Sequence, residues 1–147
     1  MSSGHRQIEF RVDGDVPPKK DGANSMWAKR PEVSRLMLLR NAALKAMQGA
    51  GPFRKNISIK LEIHCPAERL AGVGDLDNFV SGVCDGLMAA GPRIRRDTQW
   101  MDDELASIHL DHAIAIEDDS EVRSIMALKE TSCDGSMWYR VILEGER

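Results

Sequence analysis

The sequence predicts a single α+β domain, in which a mixed β-sheet carries two main helices packed on one of its faces. The chain has 147 residues, which is close to the usual size of one domain. Apolar residues make up 42% and charged residues 29%, a balance that excludes a wholly disordered chain. Strand-like and helical stretches alternate along the first half, and strand-like stretches dominate the end.

The first half contains three predicted elements. Residues 7–12 are rich in β-branched and aromatic residues and end at an Asp-Gly pair, which predicts a strand. A proline-rich loop then leads to a helix that starts near Pro31 and continues to Met47, because apolar residues recur there at helical spacing. Apolar and polar residues alternate over 57–65, which predicts a strand with one buried face.

A second helix is predicted where residues 75–78 (Asp-Leu-Asp-Asn) precede an apolar stripe over 79–88, since Asp and Asn are favoured helix caps. A Gly-Pro pair closes this stripe. Gly82 and Gly86 weaken the helix but allow a neighbouring segment to approach closely. Residues 92–112 show no clear period and are expected to form an ordered insertion.

The last part of the chain predicts strands. Residues 113–116 form a short apolar run, and residues 122–129 and 137–143 read as two longer strands. A turn at 133–135 (Cys-Asp-Gly) is expected to join the longer pair as a hairpin. We treat 1–147 as one domain and expect residues 1–6 to be disordered.

The sequence predicts a cytoplasmic protein with no membrane partner. No apolar stretch is long enough to cross a bilayer, and the N-terminus lacks the apolar core of a secretory signal. Cys65, Cys84 and Cys133 form no C-x-x-C pair, which argues against a disulfide framework and against a cysteine zinc site. Three scattered cysteines are typical of a reducing compartment.

Charge is distributed unevenly along the chain. Residues 1–60 hold 12 Lys and Arg against 5 Asp and Glu, whereas residues 61–147 hold 8 against 18. One interpretation is a basic surface for a polyanion beside an acidic cluster that binds cations. The other interpretation is chance combined with solvated helix and strand faces.

Two acidic clusters are candidates for chemistry, one at residues 75–78 and one at Asp118-Asp119. Hard cations such as Mg²⁺ take oxygen ligands of this kind. In a helix, Asp77, Ser81 and Asp85 share one face, so Asp85 is expected in or just behind the same pocket. The alternative is that the first cluster only caps a helix and the second only makes a turn.

The run G-D-L-D-N-F-V-S-G-V-C-D-G-L at 74–87, followed by E-D-D-S-E-V at 117–122, resembles the RusA family of Holliday-junction resolvases. That family combines a D-L-D-N helix start with a downstream D-D-x-x-V. The Pro-Pro-Lys at 17–19, between a strand and a helix, resembles the family's proline-rich opening. The resemblance extends over roughly 8–143 and depends chiefly on the two acidic motifs.

The resemblance implies a homodimeric endonuclease that requires Mg²⁺, or Mn²⁺ in its place, and resolves four-way and other branched DNA by symmetric hydrolysis. It assigns catalysis and metal binding to Asp75, Asp77 and Asp119. Asn78, Asp85 and Asp118 are expected to support that site. Basic residues expected to contact DNA are Lys19, Lys20, Arg93, Arg95 and Arg96.

Two departures from the family pattern leave alternatives open. Ser81 stands where the family has a basic residue, so Lys19, Lys20 or a residue of the insertion could replace it, or activity could be reduced. The insertion also contains a second acidic pair, Asp102-Asp103. We prefer Asp118-Asp119 because a strand-like run precedes it and a strand follows it.

Three functions therefore compete. The leading one is the structure-selective endonuclease. The second is a protein that binds junctions or branched DNA with weak or no catalysis, which Ser81 favours. The third is a structural or interaction domain, in which the acidic clusters are only caps and turns.

Overall fold

The computed structural model describes residues 5–20, 26–89 and 112–147. Its helices and strands, in chain order, are β1 (Arg6–Asp13), α1 (Arg30–Met47), β2 (Lys55–Cys65), α2 (Leu76–Leu87), β3 (Val122–Thr131) and β4 (Trp138–Glu146). The four strands form one mixed sheet in the order β1-β4-β2-β3. Only β2 and β3 pair in parallel, while β4 is antiparallel to β1 and to β2.

The alternation over 57–65 is confirmed as a strand with one buried face. The side chains of Ile57, Ile59, Leu61, Ile63 and Cys65 are all buried. Position in the sheet explains this pattern, because β2 lies between β4 and β3 and one of its faces is covered by the core.

The first strand starts earlier than the sequence indicated. Arg6 pairs with Gly145 at the start of β1, so the expected disorder of residues 1–6 does not extend to Arg6. Residues 1–4 lie outside the described part of the chain.

The predicted hairpin between the last two strands is wrong. β2 lies between β3 and β4, and the connection at 132–137 passes the end of β2, where the Ser132 N–H donates to the Cys65 carbonyl at 2.9 Å. The burial patterns explain this order. Every second residue of β4 is buried, as a central strand requires, whereas no residue of β3 is fully buried, which suits an edge.

The predicted short strand at 113–116 is also wrong. Ile116 makes only an isolated bridge with Phe53. The N–H groups of Ile114, Ala115 and Ile116 instead all lie within 3.3 Å of the Leu87 carbonyl. Carbonyls at the end of a helix lack partners within it, so this returning segment satisfies the end of α2.

Both helices pack on one face of the sheet, which confirms the predicted α+β fold. Pro31 and Glu32 lie in the first turn of α1, and Gln48 ends that helix in a left-handed conformation. The two helices bury their apolar stripes in the same core as the inward side chains of the strands. The core members contributed by the helices are Leu39, Ala43, Met47, Phe79, Val80, Val83, Cys84 and Leu87.

The opposite face of the sheet carries aromatic and charged side chains. Trp138 stacks on His64 with ring centroids 3.9 Å apart, and the Arg11 guanidinium lies 3.8 Å from the centre of the indole ring. Arg140 pairs with Glu9 at 3.1 Å on the same face. No helix among the described residues is long and apolar enough to cross a membrane.

The buried guanidinium of Arg40 bridges the two helices through hydrogen bonds. The Arg40 side chain of α1 is only 1% exposed. Its Nη1 donates to the carbonyls of Gly86 and Met88, and its Nη2 donates to the carbonyl of His112, each at 2.8 Å. Burial lowers the Arg40 pKa to about 10, so the group is still charged at neutral pH. One side chain thus holds the end of α2 beside the returning chain.

We expect Arg40→Met to lower the free energy of unfolding by about 3 kcal/mol, because buried carbonyls would lose their donor. Urea unfolding at pH 7 measures this change. Arg54→Met is the matched control, since Arg54 is exposed, and it should change stability by less than about 0.5 kcal/mol. Equal unfolding midpoints for the two variants would contradict the role given to Arg40.

Candidate active site

A cleft of about 390 Å³ opens beside α2, at the start of β3. Its polar side chains are Lys20, Ser81, Asp85 and Asp119. Its apolar side chains are Val80, Cys84, Val122 and Ile125. Two carboxylates, a hydroxyl and an ammonium therefore share one partly apolar recess.

The segment at 15–20 brings Lys20 to this cleft and is fixed to both helices. The Lys19 N–H donates to Glu32 Oε2 of α1 at 2.8 Å, and the Lys20 N–H donates to the Asn78 carbonyl of α2 at 3.1 Å. Glu32 is 6% exposed and also accepts from Arg35 Nη1 at 2.6 Å. A buried carboxylate is stable only when it is paired and hydrogen-bonded, as this one is.

A glycine on α2 allows the segment to lie directly against the helix. A Cβ atom at Gly82 would stand 1.9 Å from the Pro18 carbonyl oxygen, so no larger residue fits without moving the backbone. At Gly86, a Cβ atom would stand 2.6 Å from Leu39 Cδ2 of α1. The predicted close approach at both glycines is confirmed. Which segments approach could not be predicted from local pattern.

Lys20 and Asp85 form an ion pair inside the cleft. Lys20 Nζ lies 2.6 Å from Asp85 Oδ2. The Lys20 side chain is 44% exposed and that of Asp85 is 28% exposed. At this exposure the pair contributes little to stability, and the ammonium can be reached by a solute.

The two neighbouring aspartates before β3 have different roles. The Asp118 carboxylate accepts the Ser120 N–H at 3.0 Å and caps the short 3₁₀ turn at Asp119–Glu121. These Ser120 hydrogen bonds lower the Asp118 pKa. Asp119 instead lines the cleft. The turn interpretation thus accounts for Asp118 and leaves Asp119 available for chemistry.

Asp75 and Asp77 lie at the other end of α2. Asp75 is the N-cap residue, yet its side chain makes no capping hydrogen bond. Both aspartates are exposed. Nearby, Lys129 Nζ of β3 donates to the Gly74 carbonyl at 3.0 Å. A capping hydrogen bond therefore does not explain why an aspartate stands at position 75.

Among the described residues, Asp75, Asp77 and Asp119 do not form a group that could hold a metal ion. Lys129 near the end of β3 contacts Gly74 before α2, whereas Val122 at the start of β3 lines the cleft with Asp85, so α2 runs antiparallel to β3. Asp77 and Asp85 are two helical turns apart, about 12 Å along the axis. The carboxylate that shares the cleft with Asp119 is thus Asp85.

The two carboxylates of the cleft suit a hard cation in kind, and they would be enough in number only with substrate phosphate as a further ligand. Mg²⁺ takes oxygen ligands and often uses one or two carboxylates together with substrate phosphate. Asp85 and Asp119 could provide such a pair. Within the described ranges, no group of three or more His, Cys, Asp or Glu could hold a metal ion.

Several predicted residues lie outside the described part of the chain, namely Arg93, Arg95, Arg96, Asp102 and Asp103.

Lys129 was not singled out from sequence, because nothing local indicates that β3 passes the start of α2. The Lys20–Asp85 pair was not foreseen either, although each residue was a candidate by itself. Their pairing depends on the close approach at Gly82.

Models of known protein families give no match to this chain, and none of the curated proteins matches it.

The cleft wall includes a thiol that should be unreactive. Burial, and then the negative charges of Asp119 and Asp85, raise the Cys84 pKa to about 12. Folding thus keeps the proton on Cys84 at neutral and mildly basic pH, and the thiolate is the reactive form. Cys65 is buried and Cys133 is exposed.

We expect Ellman's reagent at pH 8 to modify one thiol quickly in the native protein and all three after unfolding in urea. Cys133→Ser should remove the fast reaction. A fast reaction that survives in this variant would contradict the burial of Cys84.

We expect Gly82→Ala to lower the free energy of unfolding by about 1–2 kcal/mol, because its Cβ atom would overlap the Pro18 carbonyl. Helix propensity alone predicts that the same substitution raises the free energy of unfolding, since Ala is favoured over Gly in a helix by about 1 kcal/mol. The thermal unfolding midpoint of the variant, compared with wild type, shows whether stability falls or rises. Gly72→Ala is the control, as nothing lies within 4 Å of a Cβ atom there. A higher midpoint for Gly82→Ala would show that the contact is unimportant.

Proposed function

We propose that this chain is a Mg²⁺-dependent endonuclease that resolves four-way DNA junctions by symmetric phosphodiester hydrolysis. The observation that supports this function best is the cleft, where Asp85 and Asp119 lie beside the Lys20 ammonium. Metal-assisted hydrolysis of a phosphodiester uses oxygen ligands such as carboxylates to hold the metal ion, and positive charge to offset the charge on the phosphate. The cleft offers both kinds of group.

The ligand set that the resemblance implies is Asp75, Asp77 and Asp119, with Asn78, Asp85 and Asp118 in support, although the described residues do not group the three aspartates. When bound, Mg²⁺, or Mn²⁺ in its place, would lower the pKa of a water molecule and offset charge on the phosphate oxygens. Asp119 faces the cleft, while Asp75 and Asp77 stand at the helix start. Mutagenesis must therefore include Asp85 as an alternative ligand.

The DNA backbone would be held by basic side chains, for which we propose Lys19, Lys20, Arg93, Arg95 and Arg96. Contacts to phosphates release counterions, so affinity should fall as the salt concentration rises. A homodimer would present one cleft to each of two strands, in keeping with the two-fold symmetry of a junction. We place this activity in the cytoplasm, together with its DNA substrate.

A second candidate function is a protein that binds branched DNA with weak or no catalysis. Two observations favour it. Ser81 contributes only a hydroxyl to the cleft, and the described residues contain no group of three or more potential ligands close enough to hold a metal. This candidate predicts tight binding without nicking.

The decisive assay uses a labelled four-way junction and the matching linear duplex, with Mg²⁺ or with EDTA. We expect paired symmetric nicks in the junction only when Mg²⁺ is present. Asp77→Asn and Asp119→Asn should each lower the nicking rate by about 100-fold or more, because the loss of one charge-stabilising group commonly has this effect. Asp75→Asn and Asp85→Asn then separate the two possible ligand sets.

Asp134→Asn is the matched control for these variants. Asp134 lies in the connection between β3 and β4 and accepts hydrogen bonds from Ser136, so it should nick at the wild-type rate. Wild-type rates for both Asp77→Asn and Asp119→Asn would overturn the ligand assignment. Tight junction binding without nicks would favour the second candidate, and no binding would exclude both.

A further inference from the structure

The cleft contains one basic side chain among the residues that the structure describes, and that side chain is Lys20. Its ammonium lies 2.6 Å from Asp85 Oδ2, and 44% of the side chain is exposed. The cleft therefore contains a cation that is both held in place and open to an anionic ligand.

The position of Lys20 is set by its backbone as well as by its ion pair. The preceding peptide is fixed by the Lys19 N–H bond to buried Glu32, and Lys20 itself by its bond to the Asn78 carbonyl. Pro18 lies against Gly82, where only glycine fits. A flexible lysine that starts from a fixed backbone loses less entropy when it binds a phosphate.

Two other lysines of the described region, Lys129 and Lys60, lie away from the cleft. Lys129 donates to the Gly74 carbonyl at the start of α2. Lys60 lies beside Met126 and Ile142 in the register of the sheet, on the face opposite to the helices. Ser81 lines the same cleft as Lys20, but its hydroxyl carries no charge.

We propose that Lys20 is a catalytic residue of the proposed endonuclease, that its ammonium contacts a non-bridging oxygen of the phosphodiester being cut, and that Asp85 is its positioning residue. This inference rests on the proposed function. Hydrolysis adds water across one P–O ester bond and yields a phosphate monoester and a hydroxyl group. Lys20 remains protonated throughout and offsets the charge that develops on phosphorus-bound oxygen.

The first test measures the contact without any cleavage. The protein is treated with a low concentration of acetic anhydride in EDTA, with and without a saturating four-way junction, and acetylation of each lysine is followed by mass spectrometry. The junction should slow acetylation of Lys20 by about fivefold or more, because a phosphate-bound ammonium is shielded. Lys60 is the internal control and should react at an unchanged rate.

The second test separates catalysis from binding. Lys20→Met should lower kcat for junction nicking by about 100-fold, while the junction Kd changes by less than about tenfold, as expected for one phosphate contact among several. Its thermal midpoint should stay within a few degrees of wild type, since a half-exposed ion pair contributes little. Lys60→Met should retain the wild-type kcat.

The role of Asp85 is tested by a double-mutant cycle. If Asp85 acts through Lys20, Asp85→Asn should lower kcat in the wild-type background but change it less than about twofold in the Lys20→Met background. Ser81→Lys added to Lys20→Met should restore kcat by at least about tenfold, because it returns an ammonium to the same cleft.

The outcomes distinguish this inference from the function on which it rests. A wild-type protein that neither binds nor nicks the junction refutes the proposed function, and the inference falls with it. A wild-type protein that binds the junction while Lys20 stays unprotected refutes the inference alone. Wild-type nicking that Lys20→Met retains within about threefold refutes it as well. Additive effects of Asp85→Asn and Lys20→Met refute the positioning role.

Discussion

The structure depends on a charge that is placed where water cannot reach it. The guanidinium of Arg40 joins α1 to the last carbonyls of α2 and to the chain that returns at His112. A buried arginine is tolerated only when its donors meet acceptors, and the end of a helix supplies carbonyls that need donors. The carbonyls therefore satisfy the buried guanidinium, and the guanidinium satisfies the carbonyls at the end of α2.

The cleft itself is a consequence of close packing between backbone segments. Gly82 lets the 15–20 segment lie on α2, and the buried Glu32 carboxylate holds that segment to α1. Lys20 is in this way carried to a helix surface far along the sequence. The Lys20–Asp85 ion pair therefore forms only through tertiary packing. It depends on the absence of a side chain at Gly82, which lets the segment lie against α2.

Local pattern was sufficient to predict the helices and the long strands, because each has one buried face and therefore a regular period. The i, i+4 spacing also placed Asp85 in the pocket with Ser81, as the structure has it. Pairing between strands was not predictable. Chain proximity favoured a hairpin of β3 and β4, but β4 lies between β1 and β2 in the sheet. The direction of α2 relative to β3 was not predictable either, because it depends on the same tertiary packing.

The order of the strands also constrains when this protein can fold. β4 is the last element of the chain, yet it lies between β1 and β2 in the sheet. Ile8 pairs with Leu143, almost the whole sequence away. During synthesis on a ribosome, β1 therefore lacks its sheet neighbour until the residues of β4 have been translated. Contacts of such long range slow folding, and the unpaired edges of β1 and β2 are open to wrong partners until β4 arrives. A chaperone that covers nascent strands would be of more use to this fold than to one whose neighbouring strands follow each other in sequence.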